Sequence, residues 1–282
     1  MKQTKQRGGE LYILATAILW STGGLFIKLV PWNPMVINGV RSLIAAMVMM
    51  AYLRRVRLRV NRTIFLAAMS TCLTNILFVY SNKLTTAANA IVLQYAMPAF
   101  VILFCWIFYG QKPGRAYVIT AACILVGVAL CSFEGLSAGN VLGDALGLCA
   151  AVTFALVFFC SRLPGANAQD YTYLGHVVGI PFALCALNDP AMTLEPMHWL
   201  AIIAMGACLA GGYYFISLGM TNTSPVTAAL LANLEPILSP FWVFVFLGEQ
   251  PGALTLIGAA IVLTAATVYS IMGARRPAEE NS

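Results

Sequence analysis

The chain has 282 residues, of which 60% are hydrophobic and 9% charged, against roughly 25% charged in an ordinary soluble domain, so a water-soluble globular fold is excluded. The net charge of +6 is not gathered on a polar folded region, which excludes a nucleic-acid-binding module and leaves the basic residues as reporters of membrane topology. Eight cysteines with no CxxC and no histidine at ligand spacing read as small apolar packing residues and exclude a disulfide framework or metal centre.

Lys2, Lys5 and Arg7 precede the apolar run Leu11–Ile27. The run imitates a secretory signal, but it is too long for a typical h-region and lacks a small-x-small cleavage step, so it reads as the first membrane span, near 10–29. At roughly 20 apolar residues per crossing, nine more spans follow near 33–53, 62–82, 86–109, 114–133, 142–161, 170–188, 196–219, 224–247 and 252–272. The turns between them are short and punctuated by Pro31, Pro34, Pro113-Gly114, Pro164-Gly165, Pro190, Pro196 and Pro251-Gly252. The expected fold class is an all-α membrane protein with ten transmembrane helices.

With the N-terminus inside, 13 of the 16 basic residues fall in cytoplasmic segments, from Lys2 through the run RRVRLR at 54–59 to Arg275 and Arg276. Glu134, Asp144, Asp189, Glu195 and Glu249 fall outside. That asymmetry predicts a plasma (inner) membrane protein with both termini cytoplasmic. The sequons at Asn61 and Asn222 then lie inside, where they are not glycosylated. The arginine run reads as a topogenic loop beside anionic lipid.

A shift of 138 residues sets Pro98 on Pro236, Phe108 on Phe246, Gly110 on Gly248, Pro113 on Pro251 and Ile119 on Ile257. A shift of 134 sets Gly9-Glu10 on Gly143-Asp144 and Lys28 on Arg162. Two repeats are therefore predicted, residues 8–135 (helices 1–5) and 140–273 (helices 6–10). Five crossings is an odd number, so the second copy enters from the opposite side. Inverted repeats point to a secondary transporter, with a solute site at the repeat interface near mid-membrane.

The candidate site residues follow from that geometry. Pro98 and Pro236 free the carbonyls of Gln94 and Ala232, and Pro240 adds a further break one turn on. Backbone broken at membrane depth is tolerated where it faces protein or a water-filled cavity, so these prolines are candidate hinges. Glu235 lies about 11 residues, roughly 16 Å, into the ninth span. Arg41 lies about eight residues, roughly 12 Å, from the outer end of the second, and is the predicted ion-pair partner. Glu235 can instead cap the half-helix starting at Pro236, or contact solute or a proton. His176 is the repeat counterpart of Arg41 and a candidate proton-sensitive group. Trp20, Tyr80, Gln94, Tyr95, Tyr213, Tyr214, Asn233 and Trp242 are candidates for an aromatic, hydrogen-bonding pocket. Lys28 and Lys83, at outer helix ends, are expected to snorkel, with an external gate as the alternative. HExxH, GxSxG and P-loop motifs do not occur, so no enzyme activity and no cofactor is expected, and energy must come from gradients.

Three segments carry a family resemblance: LATAILWSTGGLFIK at 14–28, TTAANAIVLQYAMPAFVILFCWIFYGQKP at 85–113, and TSPVTAALLANLEPILSPFWVFVFLGEQP at 223–251, together with Arg41. The chain resembles the EamA family of the drug/metabolite transporter superfamily over residues 8–272. The resemblance implies a ten-helix plasma-membrane permease for a small organic metabolite such as an amino acid, amine or nucleobase. The first repeat departs from the pattern: Gly110-Gln111-Lys112 stands where the second has Gly248-Glu249, and Met97 stands opposite Glu235. The expected function is alternating-access transport, with protons as a candidate coupling ion. The expected partners are a small organic solute and the lipid bilayer, no nucleic acid, and the chain itself as monomer or homodimer. The competing readings are a broad-specificity drug or organic-cation exporter, an intramembrane enzyme acting on a lipid-linked substrate, and a non-transporting receptor or structural protein.

Overall fold

The computed structural model describes residues 2–53, 60–110, 112–137, 140–220 and 231–275. The arginine run at 54–59, Arg276, and the sequon and repeat positions 221–230 lie outside the described residues. The described part is all helical, with no strand. Its helices are α1 (Lys2–Ser21), α2 (Gly23–Leu29), α3 (Pro34–Leu53), α4 (Arg62–Leu84), α5 (Ala87–Gln94), α6 (Met97–Tyr109), α7 (Arg115–Ser137) and α8 (Val141–Ser161). They continue as α9 (Ala168–Gly179), a 3-10 helix (Ile180–Asn188), α10 (Pro196–Met220), α11 (Glu235–Leu247) and α12 (Ala253–Arg275).

Eight segments are long and apolar enough to cross a bilayer: Gly9–Leu29, Pro34–Leu53, Arg62–Leu84, Ala87–Tyr109, Arg115–Glu134, Val141–Ser161, Pro196–Gly219 and Ala253–Met272. They correspond to predicted spans one to six, eight and ten. The seventh span is not one α-helix: it changes to 3-10 geometry at Ile180, where Pro181 cannot donate the next α-helical bond. The ninth is described only from Leu231 on, with α11 as a shorter apolar helix. Large apolar side chains cover the outside of the bundle, including Phe108 at 63% and Phe246 at 64% exposure. Water would make such a surface prohibitive, whereas lipid is its natural solvent.

The predicted breaks at the matched prolines are present. Tyr95 and Ala96 form a turn between α5 and α6, and Asn233 and Leu234 form the equivalent turn before α11. Pro98 and Pro236 occupy the second positions of the helices that follow, where a missing N–H leaves no bond unmade. Pro240 does not make the expected second break: α11 runs through it. A single proline removes one helical bond, and the bonds on either side, including Leu238 N–H to the Leu234 carbonyl at 2.9 Å, keep the helix continuous. Both half-helices end alike, on Gly110 (φ 63°) and Gly248 (φ 69°), a left-handed conformation that glycine adopts without a Cβ penalty. The first span carries an unforeseen break at Thr22, where the Ser21 and Thr22 hydroxyls donate to Ile18 O and Leu19 O, both at 2.7 Å, in competition with the backbone ladder.

α4 packs on α8 and α9, and α10 packs on α1 and α3. α7 lies against α12, α3 against α9 and the 3-10 helix, and α11 against α5, α2 and α1. One buried cluster centred on Leu93, Ala96, Val128, Ala151 and Val262 joins α5, α7, α8 and α12; another around Trp32, Ile37, Val79 and Ile202 joins α3, α4 and α10. The α7–α12 contact is a reciprocal glycine pair: a Cβ on Gly127 would stand 2.7 Å from the Gly258 carbonyl oxygen, and one on Gly258 would stand 2.5 Å from that of Gly127. Small residues let membrane helices approach this closely. Gly258→Leu is expected to force the helices apart and destabilise the fold by about 1–3 kcal/mol. An unchanged melting temperature in detergent would show that the contact is slack.

Candidate functional site

Arg41 projects from the middle of α3 and is 4% exposed. One terminal nitrogen, Nη2, donates to Asn38 Oδ1 at 3.3 Å and to Asn75 on α4 through its main-chain oxygen and Oδ1, both at 3.0 Å. The Asn75 amide is aimed by its own bond to Thr71 O at 3.0 Å, which turns the oxygen toward the guanidinium. His176, on α9, is fully buried and lies within Coulomb range of Arg41. Its ring sits 5.9 Å from that of Tyr213 on α10. Trp20 closes the group from α1: its indole edge meets Tyr213 at 5.0 Å and its N–H donates to Leu209 O at 3.1 Å. Gly212 makes that insertion possible, since a Cβ there would collide with the indole.

Glu235 begins α11 and is half-buried. Its Oε2 accepts the Tyr95 hydroxyl at 3.2 Å. Tyr95 lies in the α5–α6 break and Glu235 directly follows the break before α11, so the two matched interruptions meet through this bond. Tyr213 is within Coulomb range of both Arg41 and Glu235. It thus feels both a cation on α3 and an acid on α11.

The predicted Arg41–Glu235 ion pair is not formed. Arg41 is held by Asn38 and Asn75, and Glu235 by Tyr95. Similar depth in the membrane fixes height and not azimuth, so it does not by itself make two side chains neighbours. Of the other predicted site residues, Asn233 donates to the Thr267 hydroxyl on α12. Trp242 donates to the Ser21 hydroxyl at 2.9 Å. Tyr80 is half-buried on α4, Gln94 ends α5 half-buried, and Tyr214 lies tilted against Tyr52, with ring centroids 5.0 Å apart. Sequence reasoning passed over Asn38 and Asn75. The signal was available, because Asn38 sits one turn from Arg41 on the same helix face and Asn75 is an amide in mid-span.

Lys28 and Lys83 do not snorkel. Lys28 pairs with Glu249 Oε2 at 2.9 Å and donates to Thr85 O at 2.8 Å, while Lys83 donates to Val30 O. Glu249 Oε1 also accepts the Ala87 N–H at 2.6 Å. The same end of the bundle carries Asn33 N–H to Asp189 at 2.7 Å, Thr85 to Asp144 at 2.7 Å, and Thr255 to Asn89 at 2.6 Å. Apart from Lys28 to Thr85 and Lys83 to Val30, these bonds join the first half of the chain to the second. At the opposite end are two clefts, one of about 420 Å³ between α3 and α10 lined by Val48, Tyr52, Gly211 and Tyr214, and one of about 360 Å³ beside Tyr109 and Arg162.

The sequence pattern of the EamA-like transporter family matches residues 7–133 and again 141–271. The chain is 24% identical over 191 residues to the pseudopaline exporter of Pseudomonas aeruginosa, a match covering 65% of this chain and 66% of that exporter, just under two thirds of its length. It is 24% identical over 260 residues to an uncharacterized transporter of Archaeoglobus fulgidus, covering 91% of this chain and 94% of the relative. A solved crystal structure shares the fold with a TM-score of 0.65 at 22% identity, over 96% of this chain and 99% of its own. The chain belongs to the EamA-like transporter family and is a multi-pass membrane transporter rather than an enzyme.

Proposed function

We propose that the protein is a secondary permease that moves a small organic solute across the plasma membrane by alternating access. In this reading ten crossings form two inverted halves, residues 8–135 and 140–273, with both termini cytoplasmic. The observation that carries it is the meeting of the two matched helix breaks at Tyr95 and Glu235, near the half-buried Tyr213 and the buried Arg41 and His176. Interrupted helices facing each other at the repeat interface are the usual setting of a transporter's solute site.

The packing supports the repeat. Exchanging the halves turns the α4–α8 contact into the α10–α1 contact and the α4–α9 contact into the α10–α3 contact, both of which exist, and maps α7–α12 and α3–α9 onto themselves. Matched residues share environments as well: Phe108 and Phe246 face outward alike, and Pro98 and Pro236 are both buried. Polar bonds between the halves crowd the predicted outer end and the clefts lie at the predicted inner end, an arrangement that suits a conformation open to the cytoplasm. Glu235 is the candidate proton-coupling group in this scheme. Export is the direction favoured by the match to a protein named as an exporter.

Reconstitution into liposomes tests this directly. With solute and pH gradients imposed in either direction, at least one small organic solute of a broad panel is expected to cross faster than in protein-free vesicles. Folded protein that moves none of them would reject the proposal.

A further inference from the structure

Arg41 is a buried cation whose visible partners are all neutral. Among the described residues no carboxylate comes within ion-pairing distance of it; the ion pairs present are Lys28–Glu249 and His198–Glu195. A guanidinium keeps its charge under all physiological conditions, and a buried charge is ordinarily paired. Glu235, the acid that could have compensated it, is instead held by Tyr95.

The unmet polar atoms around Arg41 are mainly donors. Arg41 Nε, Asn38 Nδ2 and both ring nitrogens of His176 are buried without a hydrogen-bond partner. A neutral imidazole still offers one N–H, so three unsatisfied donor groups belong to one cluster built from α3 and α9. Asn38 also lies beside Gly179, one turn beyond His176, which places α9 directly against this face of α3. Surplus donors and a positive charge call for a ligand that only accepts and carries negative charge. An ionised carboxylate is acceptor-only, and the guanidinium fork matches its two oxygens. An ammonium group offers the opposite on both counts. Trp20 and Tyr213 supply aromatic surface beside the donors for an organic body. The cleft lined by Val48 and Tyr52 lies between α3, which carries Arg41 and Asn38, and α10, which carries Tyr213, about two turns further along α3 toward the predicted inner end.

We propose that the Arg41, Asn38 and His176 cluster binds the carboxylate of a small organic anion or zwitterion. This rests on the transport reading above and narrows its solute class, setting aside plain amines and uncharged nucleobases.

The test is a ladder of probes on the purified full-length protein in detergent, read by melting temperature. The probes are the protein amino acids, each beside its decarboxylated amine and its carboxamide, together with succinate, lactate and chloride. Carboxylate members that bind are expected to raise the melting temperature by roughly 5 °C at saturation, with their amines, amides and chloride inert. Arg41→Gln should weaken the apparent affinity roughly 10- to 100-fold, and Arg41→Lys, which keeps the charge but loses the fork, should fall between. The wild-type ladder decides the matter alone if Arg41→Gln does not fold. Amines, amides or chloride stabilising as well as the carboxylates, or no carboxylate stabilising at all, overturns the proposal. The same solutes assayed in liposomes separate the two claims: transport of amines alone removes the carboxylate assignment and leaves the transporter reading standing, whereas transport of nothing removes both.

Discussion

Glu235→Gln is expected to fold like wild type while transport falls roughly 10- to 100-fold, and Glu235→Leu to lose both transport and stability. The size follows from the bond to Tyr95: a hydrogen bond to a charged group contributes about 1.5–3 kcal/mol, and a contact at the meeting of two helix breaks is remade whenever those helices move. The carboxylate also opens α11, where it satisfies the positive end of the helix. Glutamine keeps an acceptor for Tyr95, so the fold survives. It cannot take up and release a proton or hold a charge. Leucine leaves the Tyr95 hydroxyl without its acceptor and removes the negative charge from the helix N-terminus. Initial rates in liposomes, compared with melting temperatures of the same preparations, separate the two effects. A well-folded Glu235→Leu protein transporting at the wild-type rate would confine Glu235 to architecture.

The second large effect is expected at the opposite pole of the transport cycle. Glu249 joins Lys28 on α2 to the start of α5 by one carboxylate, Oε2 taking the ammonium and Oε1 the Ala87 N–H. Lys28 holds Thr85 O in addition. An exposed ion pair alone contributes about 0.2–1 kcal/mol, but these side chains are only 18% and 25% exposed and each makes a further hydrogen bond. Removing the set should shift the balance between conformations by about 1–3 kcal/mol, a factor of roughly 5–150. Glu249→Gln with Lys28→Met is therefore expected to populate a form open at the predicted outer end. A cysteine placed at buried Ser81 of α4, in a background without the native thiols, reports this through labelling by an impermeant maleimide from outside. Labelling as slow as in the intact pair would mean that Lys28 and Glu249 are not part of the closure.

The matched helix breaks were legible in the sequence because proline acts locally. Pro98 and Pro236 lack an N–H wherever the chain goes, and the repeat shift placed them at equivalent points before any contact was known. The same local rule misjudged Pro240, since one lost bond inside an otherwise bonded helix does not suffice to end it. Pairings across the bundle were much less legible. Arg41 and Glu235 were matched by depth alone, while the partner that Glu235 has, Tyr95, lies 140 residues away in a break whose orientation depends on how α5 meets α11. Lys28 read as a residue reaching for water because its sequence neighbours are apolar, and its acid sits in a distant turn. Asn38 and Asn75 show the remaining gap: neutral amides in a span carry no charge to attract notice, yet they hold the guanidinium.

The 3-10 segment Ile180–Asn188 alters the reach of the chain. α9 alone, with 12 residues, covers about 18 Å at 1.5 Å per residue and stops well short of a hydrocarbon layer about 30 Å thick. Nine residues at about 2.0 Å each add roughly 18 Å, some 4–5 Å more than the same residues would cover as α-helix. Tighter winding also advances each side chain about 20° further around the axis, so by Cys185 the accumulated turn is roughly a quarter of a circle. α9 followed by a loop would stop short of the far side of such a layer, whereas with the 3-10 segment the two together reach roughly 36 Å and turn their far end to a different outward direction.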